Sequence, residues 1–236
     1  MSQAPLWDLR LPANETSKAE AAMLRSERAA DGGSPSLPPR FVLYVEGPRD
    51  RDILRGWARR LSPPLARLLE PCAVILGGRR PERAVEHFRA LGGAHRGARG
   101  LCVLDGDGQQ SGAEALPTEP GLEFFTWPRR QIESYLLVPS AIRRCLRLSR
   151  EDRRVEQLIR EHVPVDEDED VLRELDAKRL LAGRGPLARG LGRTLRSGRI
   201  ALSMREEEIH RDVIDLFDRV RAGLSNARNA SRRSQL

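Results

Sequence analysis

The chain of 236 residues is 39% hydrophobic and 32% charged, and its formal net charge is +7. This length accommodates one large domain, or one domain of about 100–150 residues with additions. No run approaches the roughly 18 consecutive apolar residues of a membrane helix, and the N-terminus lacks a signal-peptide pattern. The composition therefore predicts a cytoplasmic protein without a membrane partner. Cys72, Cys102 and Cys145 are far apart in the chain and form no CxxC or Cys/His pairing, which argues against a disulfide framework or a zinc site.

The positive charge is carried almost entirely by arginine. Lys18 and Lys178 are the only lysines, and the pI of the sequence is about 10.2. Such a basic chain favours an acidic partner, with nucleic acid as the first candidate. A GC-rich genome also produces an arginine bias, so charge alone does not separate nucleic-acid binding from ordinary surface charge.

The first two segments of the chain differ in composition. Residues 1–40 have the composition of a flexible arm, which ends in the linker-like stretch "RAADGGSPSLPPR". Residues 41–138 alternate between apolar runs and amphipathic segments, which predicts strands separated by helices. The predicted strands are "FVLYV", "CAVIL", "GLCVLD" and "LEFFTW". This alternation predicts an α/β domain with a parallel sheet of about four strands flanked by helices.

The second half of the chain has a different pattern. Residues 139–223 contain segments that are amphipathic with a period of 3.6 residues, which predicts a C-terminal helical extension. Residues 224–236 predict a disordered basic tail. The acidic run "VDEDED" at 165–170 is more typical of the first turn of a helix than of a metal site, because negative charge is favourable there.

Carboxylates follow three of the predicted strands. Glu46 and Asp50 follow the first, Asp105 and Asp107 follow the third, and Glu133 comes shortly after the fourth. Because the carboxyl ends of parallel strands lie at one edge of a sheet, we expect these side chains to converge. Converging carboxylates repel one another, and a magnesium or manganese ion removes that repulsion. Each motif alone is more typical of a turn or a helix start, so the predicted metal site depends on their combination.

The order strand–ExxxD–helix, strand–GG–helix and strand–DxD resembles a Toprim domain, the metal-binding Rossmann-like fold of topoisomerases, DnaG-type primases and several nucleases. Further segments are similar to the OLD (overcoming lysogenization defect) family within that group. These segments are "LGGRRPERAVEHF", the stretch "RRQIESYLLVPSAI" with its likeness to an "IENYLL" motif, and the helical half. The resemblance covers about residues 40–223.

The resemblance implies a nuclease that hydrolyses phosphodiester bonds with two Mg²⁺ or Mn²⁺ ions. DNA is favoured over RNA, and phage defence or DNA processing is the expected setting. Glu46 is the expected general acid or base, and Lys178 or Arg184 is the cation expected beside the scissile phosphate. The implied metal ligands are Glu46, Asp50, Asp105, Asp107 and Glu133. The arginines that follow strand ends are candidates for holding the nucleic-acid backbone, with ordinary surface charge as the alternative: Arg79, Arg80, Arg129 and Arg130.

One departure from the family bears on partners. OLD proteins normally carry an ABC-type ATPase before the Toprim region, and the sequence contains no GxxxxGK[ST] loop. The resemblance therefore implies a stand-alone Toprim protein, a partner of a separately encoded ATPase or a truncated relative. A homodimer is a further candidate assembly. An alternative stays open, in which a non-catalytic Toprim subunit binds nucleic acid or regulates an ATPase. A primase or topoisomerase shares the acids but needs accessory domains that the sequence lacks.

Overall fold

The computed structural model describes residues 41–106, 115–163 and 169–233, with side chains as far as residue 227. Within these ranges, four parallel strands form one sheet in the order β2-β1-β3-β4. The strands are β1 (Phe41–Val45), β2 (Ala73–Ile75), β3 (Arg99–Leu104) and β4 (Leu122–Thr126). The α/β class and the parallel sheet that the apolar runs predicted are thus confirmed.

Ten α-helices occur in the described ranges, and half of them begin with a proline. Proline suits the first helical position because its fixed φ is helical and its missing N–H would have no partner there. The helices are α1 (Pro48–Leu61), α2 (Pro63–Leu69), α3 (Pro81–Ala90), α4 (Pro139–Leu146), α5 (Arg154–His162), α6 (Glu169–Glu174), α7 (Ala177–Leu180), α8 (Pro186–Leu191), α9 (Ser197–Ser203) and α10 (Arg211–Arg233). Short 3₁₀ segments span Glu70–Cys72, Gly93–Arg96, Ile132–Leu136 and Glu206–Glu208. None of the described helices is both long and apolar enough to cross a lipid bilayer.

The sheet separates two hydrophobic cores. All five residues of β1 are buried, as expected for a strand covered on both faces. Successive side chains of a strand point to opposite faces. Phe41 and Val45 therefore join one core, whereas Val42 and Tyr44 join the other. The second core is closed by α3, and the first is the larger because the helical half packs there.

The helical half shares its core with the sheet. The described residues from Phe41 onward belong to one compact unit. The position between residues 138 and 139, where the sequence predicts the end of the first domain, lies inside this shared core. Leu136 and Ile142, on its two sides, are both completely buried. The strand ends are thereby fixed relative to the helices that follow them.

The contact between α1 and α9 is unusually close. A Cβ atom placed on Gly56 would lie 2.5 Å from the backbone oxygen of Gly198, and one placed on Gly198 would lie 2.7 Å from the backbone oxygen of Asp52. Both distances are shorter than a real side chain permits, so glycine at these positions lets the two backbones meet. This crossing sets the position of α9 beside the first helix after β1.

The C-terminal helix is longer than the sequence indicates. The composition predicts a disordered tail over residues 224–236, but α10 continues through Arg233. Leu224 and Ala227 pack against the main core, and those apolar contacts extend the helix. The predicted arm over residues 1–40, Asp107 and positions 165–168 of the acidic run lie outside the described residues. The last two positions of that run form the first turn of α6.

Candidate active site

The carboxyl ends of β1 and β3 bring two acids into contact. In the parallel register Val45 lies beside Val103, so the residues that follow each strand meet at the same edge of the sheet. The backbone N–H of Asp105 donates a hydrogen bond of 2.8 Å to Oε1 of Glu46. Two of the acids identified from the sequence therefore adjoin each other.

Asp50 lies against the same edge, in the first turn of α1. Its Oδ2 accepts a hydrogen bond of 2.8 Å from the N–H of Gly47, a donor that the start of a helix otherwise leaves unpaired. Burial of the side chain, followed by the negative charge of Asp105, raises the pKa of Asp50 to about 6. The positive charge near this carboxyl group therefore does not offset the combined effect of burial and of Asp105 on its pKa.

Asp105 links the sheet edge to the helical half. Its side chain is almost fully buried; Oδ1 accepts a hydrogen bond of 3.0 Å from the N–H of Ile132, and Oδ2 accepts one of 2.5 Å from Nζ of Lys178. Burial alone would lower the pKa of Lys178, but the hydrogen bond and the charge of Asp105 outweigh burial and raise it above its ordinary value. A charged lysine from α7 is thus paired directly with a strand-end acid.

Glu133 adds a further acid from the 3₁₀ segment after β4. Its side chain is 0% exposed, and its Oε1 lies 3.4 Å from Nη1 of Arg49. Its Oε2 is buried and has no hydrogen-bond partner among the described residues. Burial raises the pKa of Glu133 to about 7, with the negative charges of Asp105 and Asp50 adding to that effect and the positive charge of Lys178 opposing it. The unpaired oxygen of this buried acid could hold a cation or carry a proton.

The pKa of Glu133 predicts how stability depends on pH. The folded protein binds a proton here up to about pH 7, whereas the unfolded chain releases it near 4.5. The free energy of unfolding of the metal-free protein therefore falls as pH rises across that window. We expect Glu133→Gln to be more stable than the wild type above pH 7 by about 3 kcal/mol, and similar to it below 4.5. Urea denaturation at a series of pH values measures both differences.

The matched control for that experiment is Glu86→Gln, which changes an exposed glutamate on α3. We expect this variant to keep the wild-type dependence of stability on pH. Asp50 also contributes to the wild-type slope, between the ordinary range of an aspartate and about pH 6, and that part remains in Glu133→Gln. An unchanged slope in Glu133→Gln between about pH 6 and 7 would contradict the assignment.

The arginines named from the sequence take different positions. Arg79 lies at the site, where its Nη1 donates a hydrogen bond of 2.5 Å to the backbone oxygen of Asp105 and lies 3.9 Å from Oε1 of Glu46. Arg80 is exposed at the start of α3. Arg130 is directed to a backbone oxygen of α6. Of these three, Arg79 is therefore the one that joins the cluster of acids.

Arg129 is buried and belongs to a network of hydrogen bonds around the segment after β4. Its Nε and Nη2 donate hydrogen bonds of 3.0 and 2.9 Å to the two carboxylate oxygens of Glu169, and its Nη1 donates one of 3.2 Å to the backbone oxygen of Ser134. The guanidinium also lies 4.6 Å from the centre of the Tyr135 ring, and the hydroxyl of Tyr135 donates a hydrogen bond of 2.6 Å to Oδ2 of Asp212. These contacts favour a supporting role for Arg129, because they fix the segment that carries the buried acid.

The structure separates the two candidates for the basic role. Lys178 contacts Asp105, whereas Arg184 is exposed in the turn between α7 and α8, and no described contact joins its side chain to the acids. Gln131 helps to place the lysine, because its Oε1 accepts a hydrogen bond of 2.9 Å from the N–H of Lys178. Lys178 is therefore the stronger candidate.

Arg49 and Gln131 are site residues that the sequence analysis missed. Arg49 stands between the two acids of "EGPRD", and its position in the first turn of α1 is the signal that could have identified it. Gln131 directly precedes "IESYLL" and carries no comparable signal. Both residues act through partners that are distant in sequence, at separations of 84 and 47 residues.

The donor set fits a divalent ion in its chemistry. Carboxylate oxygens are the ligands that Mg²⁺ and Mn²⁺ prefer, and the unpaired Oε2 of Glu133 is an oxygen available for such an ion. Within residues 41–106, 115–163 and 169–233, however, no group of three or more Asp, Glu, His or Cys side chains is arranged as a ready set of ligands. Asp107, a predicted ligand, lies outside these ranges.

Comparisons with known proteins give a likeness of fold. No protein-family model and no curated protein matches the sequence. Two solved structures of the C-terminal region of the OLD protein of Xanthomonas campestris pv. campestris resemble the chain. One is 18% identical, covers 82% of this chain and 96% of its own, and has a TM-score of 0.41. The other is 17% identical, covers 84% and 99%, and has a TM-score of 0.39.

Proposed function

We propose that the chain is a divalent-metal-dependent nuclease that hydrolyses phosphodiester bonds in nucleic acid, with DNA as the favoured substrate. The observation that carries the proposal is the convergence of four acids and one lysine at one edge of the sheet, with two of the acids short of neutralising charge. These residues are Glu46, Asp50, Asp105, Glu133 and Lys178. Phage defence together with a separately encoded ATPase is the setting that the family resemblance suggests.

Each residue has a role that follows from its position. The acids would hold Mg²⁺ or Mn²⁺, which, when bound, activates water and neutralises the charge of the phosphate. Glu46 has 13% of its side chain exposed, so it can exchange a proton with water at the edge of the sheet. Lys178 and Arg79, with 37% and 28% of their side chains exposed, leave room for phosphate oxygens beside their charges.

The test is a cleavage assay with Mg²⁺ or Mn²⁺ on supercoiled DNA, single-stranded DNA and transfer RNA, with a chelator as the blank. We expect the wild type to cut DNA only when metal is present. We expect Glu46→Ala to lose more than about 100-fold of the rate, because removing even an outer partner of a metal ligand costs up to that amount. Glu86→Ala, at an exposed position of α3, is the matched control. Full activity in a folded Glu46→Ala variant would overturn the proposal.

A second candidate is a non-catalytic subunit that binds nucleic acid or regulates a partner ATPase. The pairing of Asp105 favours it, because each carboxylate oxygen already accepts a hydrogen bond from the protein, from Ile132 or from Lys178. That acid needs no ion to be satisfied. Binding of DNA without cleavage under every metal condition would support this alternative over the nuclease.

A further inference from the structure

A basic cleft with a volume of about 560 Å³ lies beside the candidate active site, between α1 and α9. The chain before α9 completes its second wall. Among the described lining residues, Asp52 is the single carboxylate. The arginines that line the cleft are Arg49, Arg55, Arg59, Arg196 and Arg199. The cleft is therefore a strongly positive surface next to the cluster of acids.

Most of this charge is available to a ligand. Arg59, Arg196 and Arg199 are exposed, and within the described part of the chain none of them forms an ion pair. Arg49 and Arg55 have carboxylate partners at 3.4 and 2.7 Å, but both still present part of their side chains to solvent. Three exposed arginines without acidic partners indicate an anionic ligand of extended shape.

The cleft has the dimensions of a track for a polynucleotide backbone. Residues 49, 52, 56 and 59 of α1 line it, and this spacing places them on one face of the helix. From residue 49 to residue 59 the helix rises about 15 Å. That length spans about four phosphates of one strand of duplex DNA. Gly56 and Gly198, where α1 and α9 cross, also line the cleft.

The cleft leads to the acids. Arg49 lines it and also lies 3.4 Å from Oε1 of Glu133, so one residue belongs to both places. Leu181 lines it as well, directly after the helix that carries Lys178. A backbone that follows the arginines therefore reaches the candidate active site at the start of α1.

We propose that this cleft binds the phosphodiester backbone of nucleic acid and delivers it to the acids. No aromatic side chain lines the cleft among the described residues, so binding relies on phosphate charge and is independent of base sequence. The inference rests on the proposed function for its class of substrate. The cleft concerns binding of nucleic acid, whereas the proposed function concerns its cleavage, and binding needs neither metal nor cleavage.

The test measures binding in a chelator, where cleavage is absent. Fluorescence anisotropy follows a fluorescein-labelled single-stranded oligodeoxynucleotide in one arm and a labelled duplex in the other. We expect the variant Arg59→Glu, Arg196→Glu, Arg199→Glu to lose more than about tenfold in affinity for the single strand. We also expect the slope of log affinity against log salt to fall by about 2, because each lost phosphate contact removes about 0.7.

The matched control is Arg67→Glu, Arg96→Glu, Arg150→Glu, which makes the same change of charge at exposed positions outside the cleft. A lysine variant at the three cleft positions keeps the charge, and we expect it to keep binding. Circular dichroism and urea midpoints check that each variant is folded.

The outcomes separate this inference from the proposed function. Equal losses in the cleft and control variants, or wild-type binding by the cleft variant, would overturn the cleft and leave the nuclease in place. Loss of binding in the cleft variant alone, together with no cleavage by the wild type in any metal, would support the cleft and reject the nuclease. Binding of the duplex without binding of the single strand would contradict the result expected for the single-stranded oligodeoxynucleotide.

Discussion

We expect Asp105→Asn to lose more than about 100-fold of the metal-dependent rate of DNA cleavage. Asparagine keeps the size of the side chain and still accepts the hydrogen bond from the N–H of Ile132. It removes the negative charge that pairs with Lys178 and that would bind a cation. The rate of plasmid nicking over a range of Mg²⁺ concentrations measures the loss, and excess metal is not expected to restore the rate.

The control for this variant is Asp218→Asn, which makes the same chemical change at a side chain that is 63% exposed on α10. We expect the control to cut at the wild-type rate. Urea midpoints of both variants establish that they are folded. A folded Asp105→Asn protein that cuts at the wild-type rate would show that this acid takes no part in the reaction.

We expect Lys178→Met to lower the free energy of unfolding of the metal-free protein by about 1–3 kcal/mol, the cost of leaving a buried acceptor unpaired. The carboxylate of Asp105 is 3% exposed and loses the donor to its Oδ2, whereas methionine preserves the packing of the stem. The exposure of the lysine, 37%, keeps the effect below that of breaking a fully buried ion pair. Urea denaturation measures the change, and the cleavage assay is expected to show a parallel loss of rate.

A double-mutant cycle tests whether the contact itself has this effect. We expect Lys178→Met combined with Asp105→Asn to be less destabilising than the sum of the single variants by about 1 kcal/mol. Arg179→Met, at the exposed neighbouring position of α7, is the control and is expected to change stability little. Strict additivity in the cycle would mean that the close approach of Nζ to the carboxylate has no energetic weight.

The sheet could be predicted from the sequence because its strands are short apolar runs separated by helices. The continuous apolar run "FVLYV" predicts a strand covered on both faces, and all five residues of β1 are buried. The meeting of Glu46 and Asp105 also follows from topology, since parallel neighbours end at the same edge. The extension of α10 through Arg233 could not be predicted, because the stretch after residue 223 is basic and polar and contains few apolar residues.

The cations of the site were harder to predict than its acids. Arg129 follows a strand end, which is a position typical of a phosphate contact. Its guanidinium is instead bound to Glu169, which is 40 residues away in the sequence. The choice between Lys178 and Arg184 depends on how α7 packs against the 3₁₀ segment Ile132–Leu136, and periodicity carries no information about that packing. Long-range pairing decides what an arginine does, and a single sequence does not show it.

The pairing of Lys178 with Asp105 also bears on how the protein is made. The acid precedes the lysine by 73 residues, so synthesis produces the acidic edge of the sheet well before the group that neutralises it. The shared core delays completion of the site further. One face of the sheet is not fully covered until α10 has been synthesised, because residues of α10 belong to the core on that face. Under the proposed function, a nascent or truncated chain therefore carries an incomplete site, and competence to cut nucleic acid arises only when the whole polypeptide has folded.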